Sequence, residues 1–212
     1  MSQKVFEDAL ARFPGSPEFS LGLALVAQSR GNARQAEDIC LELLRKHPDS
    51  VPARLFLAAL RLDAHDFPAA MDYSQAVLQR DPANLLALYL SAVAQFESKP
   101  DEAGRAMERL DRALIPGARF ASAHLLLARF YAKNREAAKT ESHLRQAVDA
   151  QPDSAQARYL LSQFHRRQGD PAKALEELQE FERARQQEKH SAGLLRQLFY
   201  GAEETDSERQ GQ

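Results

Sequence analysis

The stretch 47–84, HPDSVPARLFLAALRLDAHDFPAAMDYSQAVLQRDPAN, contains one full unit of this chain, with Pro48 and Pro82 as its markers. The same proline recurs on either side: Pro14, Pro48, Pro82, Pro116 and Pro152 stand at gaps of 34, 34, 34 and 36 residues. A fixed period of that size indicates one supersecondary unit copied and stacked. Such a stack offers a long surface for holding something and has no natural place for a catalytic cluster.

Counting outward from Pro17, further units start at Val51, Leu85, Ala121 and Ala155. Position eight then reads Ala24, Ala58, Ala92, Ala128 and Ser162, all small. Position seven reads Leu23, Leu57, Ser91, Leu127 and Leu161. Position twenty reads Ala36, Ala70, Thr140 and Ala174, with Ala106 assigned to the slot in the third unit. Small residues at eight and twenty let two helix backbones approach closely, and the leucine fills the seam beside them. Ser16, Ser50, Asn84 and Ser154 precede the first helices as caps. Gly31 and Gly169 fall between helices, where a left-handed turn is needed. Each unit therefore reads as helix, short turn, helix and a proline-marked turn. The third unit is irregular, and a longer loop is expected around residues 97–104.

This register resembles the tetratricopeptide repeat family over residues 1 to about 186. The resemblance implies an all-α, right-handed superhelical solenoid of antiparallel helix pairs. The family's aromatic at position four is replaced by Ser20, Arg54, Leu88, His124 and Arg158, and its aromatic at position eleven survives only as Tyr131. Pentatricopeptide repeats share the period but lack the proline-terminated second helix, and tryptophan-rich RNA-processing repeats do not fit a chain with no tryptophan. The expected organisation is a half repeat at 1–16, hairpins at 17–50, 51–84, 85–120, 121–154 and 155–188, a capping helix at 189–200 and an acidic disordered tail at 201–212. The capping helix rests on Leu194, Leu195, Leu198 and Phe199, spaced as on an amphipathic helix.

Composition narrows the function. A net charge of −2 over 212 residues gives no strongly basic face for nucleic acid. No apolar run is long enough to span a membrane. A single cysteine excludes an internal disulfide and fits a reducing compartment, so the cytoplasm is the default expectation. The half repeat would leave Val5, Phe6 and Leu10 uncovered. Either the chain continues a longer array, or these residues meet another surface, including a second copy. No phosphate-binding glycine loop, metal-ligand spacing or catalytic constellation is present, so no cofactor is expected. Cys40 falls on the apolar face of a second helix and reads as a small buried hydrophobe.

The resemblance also implies that certain positions of each first helix line a concave groove. The residues so placed are Leu55, Phe56 and Ala59; Leu86, Tyr89, Val93 and Phe96; Leu125, Arg129 and Lys133; and Tyr159, Gln163, Arg166 and Arg167. That groove would be apolar in the middle and basic towards its C-terminal end. The expected function is a non-catalytic scaffold binding an amphipathic peptide or helix with an acidic flank; the alternative is a structural segment of a larger assembly. The lysine–asparagine pair by which chaperone-binding members of the family hold a C-terminal carboxylate is absent from every unit.

Overall fold

The computed structural model describes residues 12, 16–114, 119–183 and 185–186, and within them every regular element is a helix. They run in order as α1 (Pro17–Ser29), α2 (Ala33–Lys46), α3 (Val51–Asp63), α4 (Phe67–Leu78), α5 (Leu85–Ser98), α6 (Gly104–Ala113), α7 (Ala121–Lys133), α8 (Ala137–Ala150) and α9 (Ala155–Arg167). Residues 171–183 form a further helix, α10. The N-terminal half repeat, the capping helix, the acidic tail, Pro14 and Pro116 lie outside the described residues. The chain divides into two compact units, Met1–Ile115 and Pro116–Gln212. The first holds the hairpins α1/α2, α3/α4 and α5/α6; the second holds α7/α8 and α9/α10.

Each hairpin closes on small residues. Ala24, Ala58, Ala92, Ala128 and Ser162 are at most 6% exposed, and Ala36, Ala70 and Thr140 opposite them are equally buried. Leu57, Leu127 and Leu161 fill the seam. In the first unit, Ala24, Ala27, Ala36, Cys40, Leu57 and Leu60 form a cluster that runs from one hairpin into the next. In the second, Leu125, Ala128, Leu144, Ala147, Ala157 and Leu161 do the same.

The turn between paired helices depends on one residue used twice. The backbone N–H groups of Asn32, Asp66, Glu136 and Asp170 donate to the carbonyls five residues back, Ala27, Arg61, Tyr131 and His165, at 2.8–3.0 Å. This Schellman closure ends the first helix. Asn32 and Asp66 then turn their side-chain oxygens forward and cap the second helix, accepting from the N–H groups of Gln35 and Ala69. Asp170 does the same for Lys173. The closure needs the preceding residue in the left-handed region, and Gly31 (φ 77°) and Gly169 (φ 78°) supply it. His65 (φ 58°) and Arg135 (φ 62°) hold the same slot with a Cβ. Ser16, Ser50, Asn84 and Ser154 cap the first helices as read from the sequence, accepting from the N–H three residues on.

The third hairpin departs from this scheme for a reason of covalent chemistry. Its closing slot is Pro100, which has no N–H to donate. The chain runs instead through a longer turn, and α6 starts at Gly104 with only 10 residues and no side-chain cap on Ala103. Ala103, Met107 and Leu110 are fully buried, whereas Ala106 is half-exposed. Ala103 therefore takes the close-contact slot, correcting the assignment of Ala106 to it.

Positions four and twenty-three face each other across a hairpin, 19 residues apart. In α9/α10 they are Arg158 and Glu177, an ion pair at 3.2 Å with Arg158 also donating to the Pro152 carbonyl. In α7/α8 they are His124 and His143, buried with Nδ1 atoms 3.2 Å apart. In α3/α4 the slots hold Arg54 and Tyr73, and the buried Nη1 of Arg54 has no hydrogen-bond partner among the described residues. In α5 the slot holds Leu88, buried at 5% exposure.

The turn and the paired slots each generate a stability prediction. Arg135→Gly should relieve the left-handed strain and stabilise the chain by up to about 1 kcal/mol, a rise of roughly 2–4 °C in Tm. Gly169→Ala should cost about 1 kcal/mol although a Cβ there would meet nothing within 4 Å. Arg54→Leu should stabilise by about 1–2 kcal/mol by removing an orphaned buried donor. Arg158→Leu should destabilise by a similar amount, because Glu177 is left without its partner. Urea titrations of the four variants would check all of these signs.

Candidate functional site

The first helices carry the candidate groove residues, and their exposure divides the set. In the first unit, Ala59 and Leu86 are exposed, the latter at 43%, while Leu55, Phe56, Tyr89 and Val93 are half-buried. Phe56 packs partly against the cluster formed by Ala24, Leu57 and Leu60, so it serves the seam between hairpins as well as the surface. Leu25 in α1 is not among the expected lining residues, yet at 58% it is the most exposed large apolar side chain of the described residues. It occupies position nine of its repeat, the same slot as Ala59 and Val93, and that equivalence is the signal that could have found it.

The second unit carries a different chemistry on its first helices. Arg129 and Lys133 of α7 and Arg166 and Arg167 of α9 are exposed. Gln163 is half-buried and accepts a hydrogen bond from Arg166. Tyr159 is 42% exposed, with its ring 5.7 Å from that of Phe181 in α10.

Two expected lining residues are corrected. Phe96 and Leu125 are each only 8% exposed. Leu125 packs into the cluster that includes Ala157 and Leu161 of the next hairpin. Leu90 and Leu126, on the same helices, are buried too.

The titratable groups serve the core. Cys40 is fully buried, and burial pushes its thiol up to about 11, so it stays protonated and unreactive at neutral pH. His124 and His143 share a buried Nδ1–Nδ1 hydrogen bond, in which one ring donates and the other accepts. The Tyr131 ring lies parallel to His143 at 5.4 Å, and Lys139 sits 4.5 Å over that tyrosine. His165 is buried against the edge of Phe164. Among the described residues no group of three or more His, Cys, Asp or Glu could hold a metal ion, and no helix is long and apolar enough to cross a membrane.

The comparisons with known proteins agree with this architecture. Models of the tetratricopeptide repeat match residues 3–60 and residues 127–189. No curated protein matches the sequence. Among solved structures, TTC0263, a thermophilic TPR protein of Thermus thermophilus, is 20% identical with a TM-score of 0.64, over 84% of this chain and 98% of that one. YrrB, a TPR protein with an unusual peptide-binding site, is 15% identical with a TM-score of 0.56, over 86% of this chain and 93% of its own. The complex of Cut9 and Hcn1 from the APC/C gives a TM-score of 0.76 at 17% identity, over 93% of this chain and 39% of that one. At such identities the likeness speaks for the fold. Together with the 34-residue register and the two family matches, it makes this chain a member of the tetratricopeptide repeat family.

Proposed function

We propose that the chain is a non-catalytic protein-interaction scaffold that holds a protein segment on the face made by its first helices. One observation carries the proposal: apolar side chains that the hairpin core does not need stand exposed on that face of the first unit. Leu25, Ala59 and Leu86 are exposed, and Tyr89 and Val93 border them half-buried. Isolated exposed leucines are ordinary, but apolar residues gathered on one face by a repeat are the usual mark of an interaction surface. Burying a few hundred Å² there would contribute several kcal/mol at ~25 cal/mol per Å², before the costs of association.

The corresponding face of the second unit offers Arg129, Lys133, Arg166 and Arg167, which suits acidic groups on a partner. The preferred partner is therefore amphipathic, with an apolar anchor and an acidic flank. Apolar burial would supply most of the affinity, and the charges would set approach and orientation. Family membership supports this reading at the level of protein or peptide binding, and YrrB is a relative of the same fold with a peptide-binding site.

The test is a pull-down from native lysate with the intact chain, Leu86→Asp and Leu41→Asp. Leu41 lies on α2, a second helix, and is 41% exposed, so it controls for a charge added elsewhere. A partner recovered with the intact chain and Leu41→Asp should fall at least tenfold with Leu86→Asp. Undiminished recovery with Leu86→Asp would remove the first-helix face as the binding surface.

A further inference from the structure

The departures of the third repeat from its sisters meet in one place. Where other units carry leucine at position seven, α5 carries Ser91, and Leu57, Leu127 and Leu161 are buried at that slot while Ser91 is half-exposed. The turn through Pro100 also leaves α6 with only 10 residues, starting at Gly104. The result is a cleft of about 820 Å³ among α4, α5 and α6. Its walls carry Gln75 and Gln79 of α4, Ser91 and Gln95 of α5, and Arg105 and Arg109 of α6.

At its floor the cleft has Ser91 where other repeats bury a leucine, and its walls, Gln75, Gln79, Arg105 and Arg109, are exposed. It also faces away from the proposed groove. Ser91 and Gln95 lie about 160° around α5 from Tyr89 and Val93, at 100° per residue. Arg105 and Arg109 are exposed, and neither forms an ion pair among the described residues. Two carboxylates, Asp101 and Glu102, also border the space, and Glu102 pairs with Lys99 at 3.5 Å on the exposed surface. A ligand meets two guanidinium forks and several side-chain amides with two carboxylates beside them, so recognition rests on the spacing of the forks and not on net charge.

From this arrangement we infer that the cleft is a second binding site, for an extended acidic peptide segment. Arg105 and Arg109 are one turn apart, ~6 Å along the helix axis. Alternate side chains of an extended chain repeat at nearly the same distance, ~6.7 Å. Two carboxylates in an acidic-x-acidic segment therefore meet the two forks in register, each with bidentate geometry available. Gln75 and Gln79, also one turn apart, both donate and accept and so match the exposed peptide groups of the same strand.

The experiment uses the full chain and fluorescein-labelled acetyl-Glu-Ala-Glu-Ala-Glu-amide, read by anisotropy at low salt, with the lysine counterpart as a control. The glutamate peptide should bind, weaken steeply as salt is raised, and lose at least tenfold in affinity with Arg105→Ala/Arg109→Ala. Ser91→Leu restores the register leucine at the floor of the cleft and should weaken binding while leaving Tm unchanged or higher. Leu86→Asp, on the opposite face, should leave this binding within twofold, so a failure here is distinguishable from failure of the groove. Binding by the double arginine variant as tight as that of the unaltered chain would overturn the inference. So would displacement of the peptide by inorganic phosphate at equal concentration, which would mark a simple oxyanion site.

Discussion

The contact on which every other feature rests is the close approach of two helix backbones at positions eight and twenty. Six of those slots, from Ala24 and Ala36 to Ala92 and Ala103, are filled by alanine with no exposed surface. A methyl group is the largest side chain that lets ridges of one helix sink fully into the grooves of its partner. With that distance set, neighbouring leucines have a seam of fixed width, and in every repeat but the third, one leucine fills it. Serine and threonine are accepted at Ser162 and Thr140 because the hydroxyl bonds back into its own helix, to the carbonyls of Tyr159 and Glu136. Ser74 solves the same problem deep in α4, donating to Ala70 and Met71. A buried hydroxyl costs little once it has such a partner.

What sets the angle between the paired helices is the turn, and the turn is a matter of backbone donors. One residue ends the first helix with its N–H and, where it is Asn or Asp, starts the second with its side chain. Glycine before it is the least strained choice, but the fold accepts His65 and Arg135 there. A left-handed conformation costs on the order of 1–2 kcal/mol, less than losing the closure together with the packing that depends on it. Proline in the closing slot has no such compromise, because the donor is missing. The third hairpin keeps its close contact through Ala103 and gives up a turn of helix instead.

Much of this was legible in the sequence because each signal had a local cause. The period, the four capping residues and the two left-handed glycines are consequences of single side chains at fixed offsets, so counting finds them. Arg135 could not be read as left-handed from its own chemistry, since only its alignment with Gly31 and Gly169 betrays it. The close-contact slot of the third repeat was misplaced because the recurring alanines were matched from the wrong end of a shortened helix, and Pro100 was the neglected signal. The candidate site was legible in part. Position numbers picked out the first helices and most of the side chains that stand exposed or half-buried on them. They did not give exposure at Leu125 or Phe96, since burial there depends on what the neighbouring side chains leave unfilled. Leu125 is buried in a cluster with Ala157 and Leu161 of the next hairpin, and no count along one helix contains that information.

The same dependence explains how one helix can leave two opposed stripes open. In α5, buried Ala87, Ala92 and Ala94 hold the helix in the hairpin stack, and they leave two opposed stripes that the stack does not constrain. In a regular repeat the stripe towards the second helices is closed by the register leucine and by a full-length second helix. Here Ser91 stands in place of that leucine, and α6 has only 10 residues. Neither change alone would make a cleft: a serine under a full helix would be a buried hydroxyl, and a short helix over leucine would expose an apolar patch. Their coincidence yields a polar hollow that costs the hairpin little. Because each repeat touches only its neighbours, such an exception stays local to the hairpin that carries it.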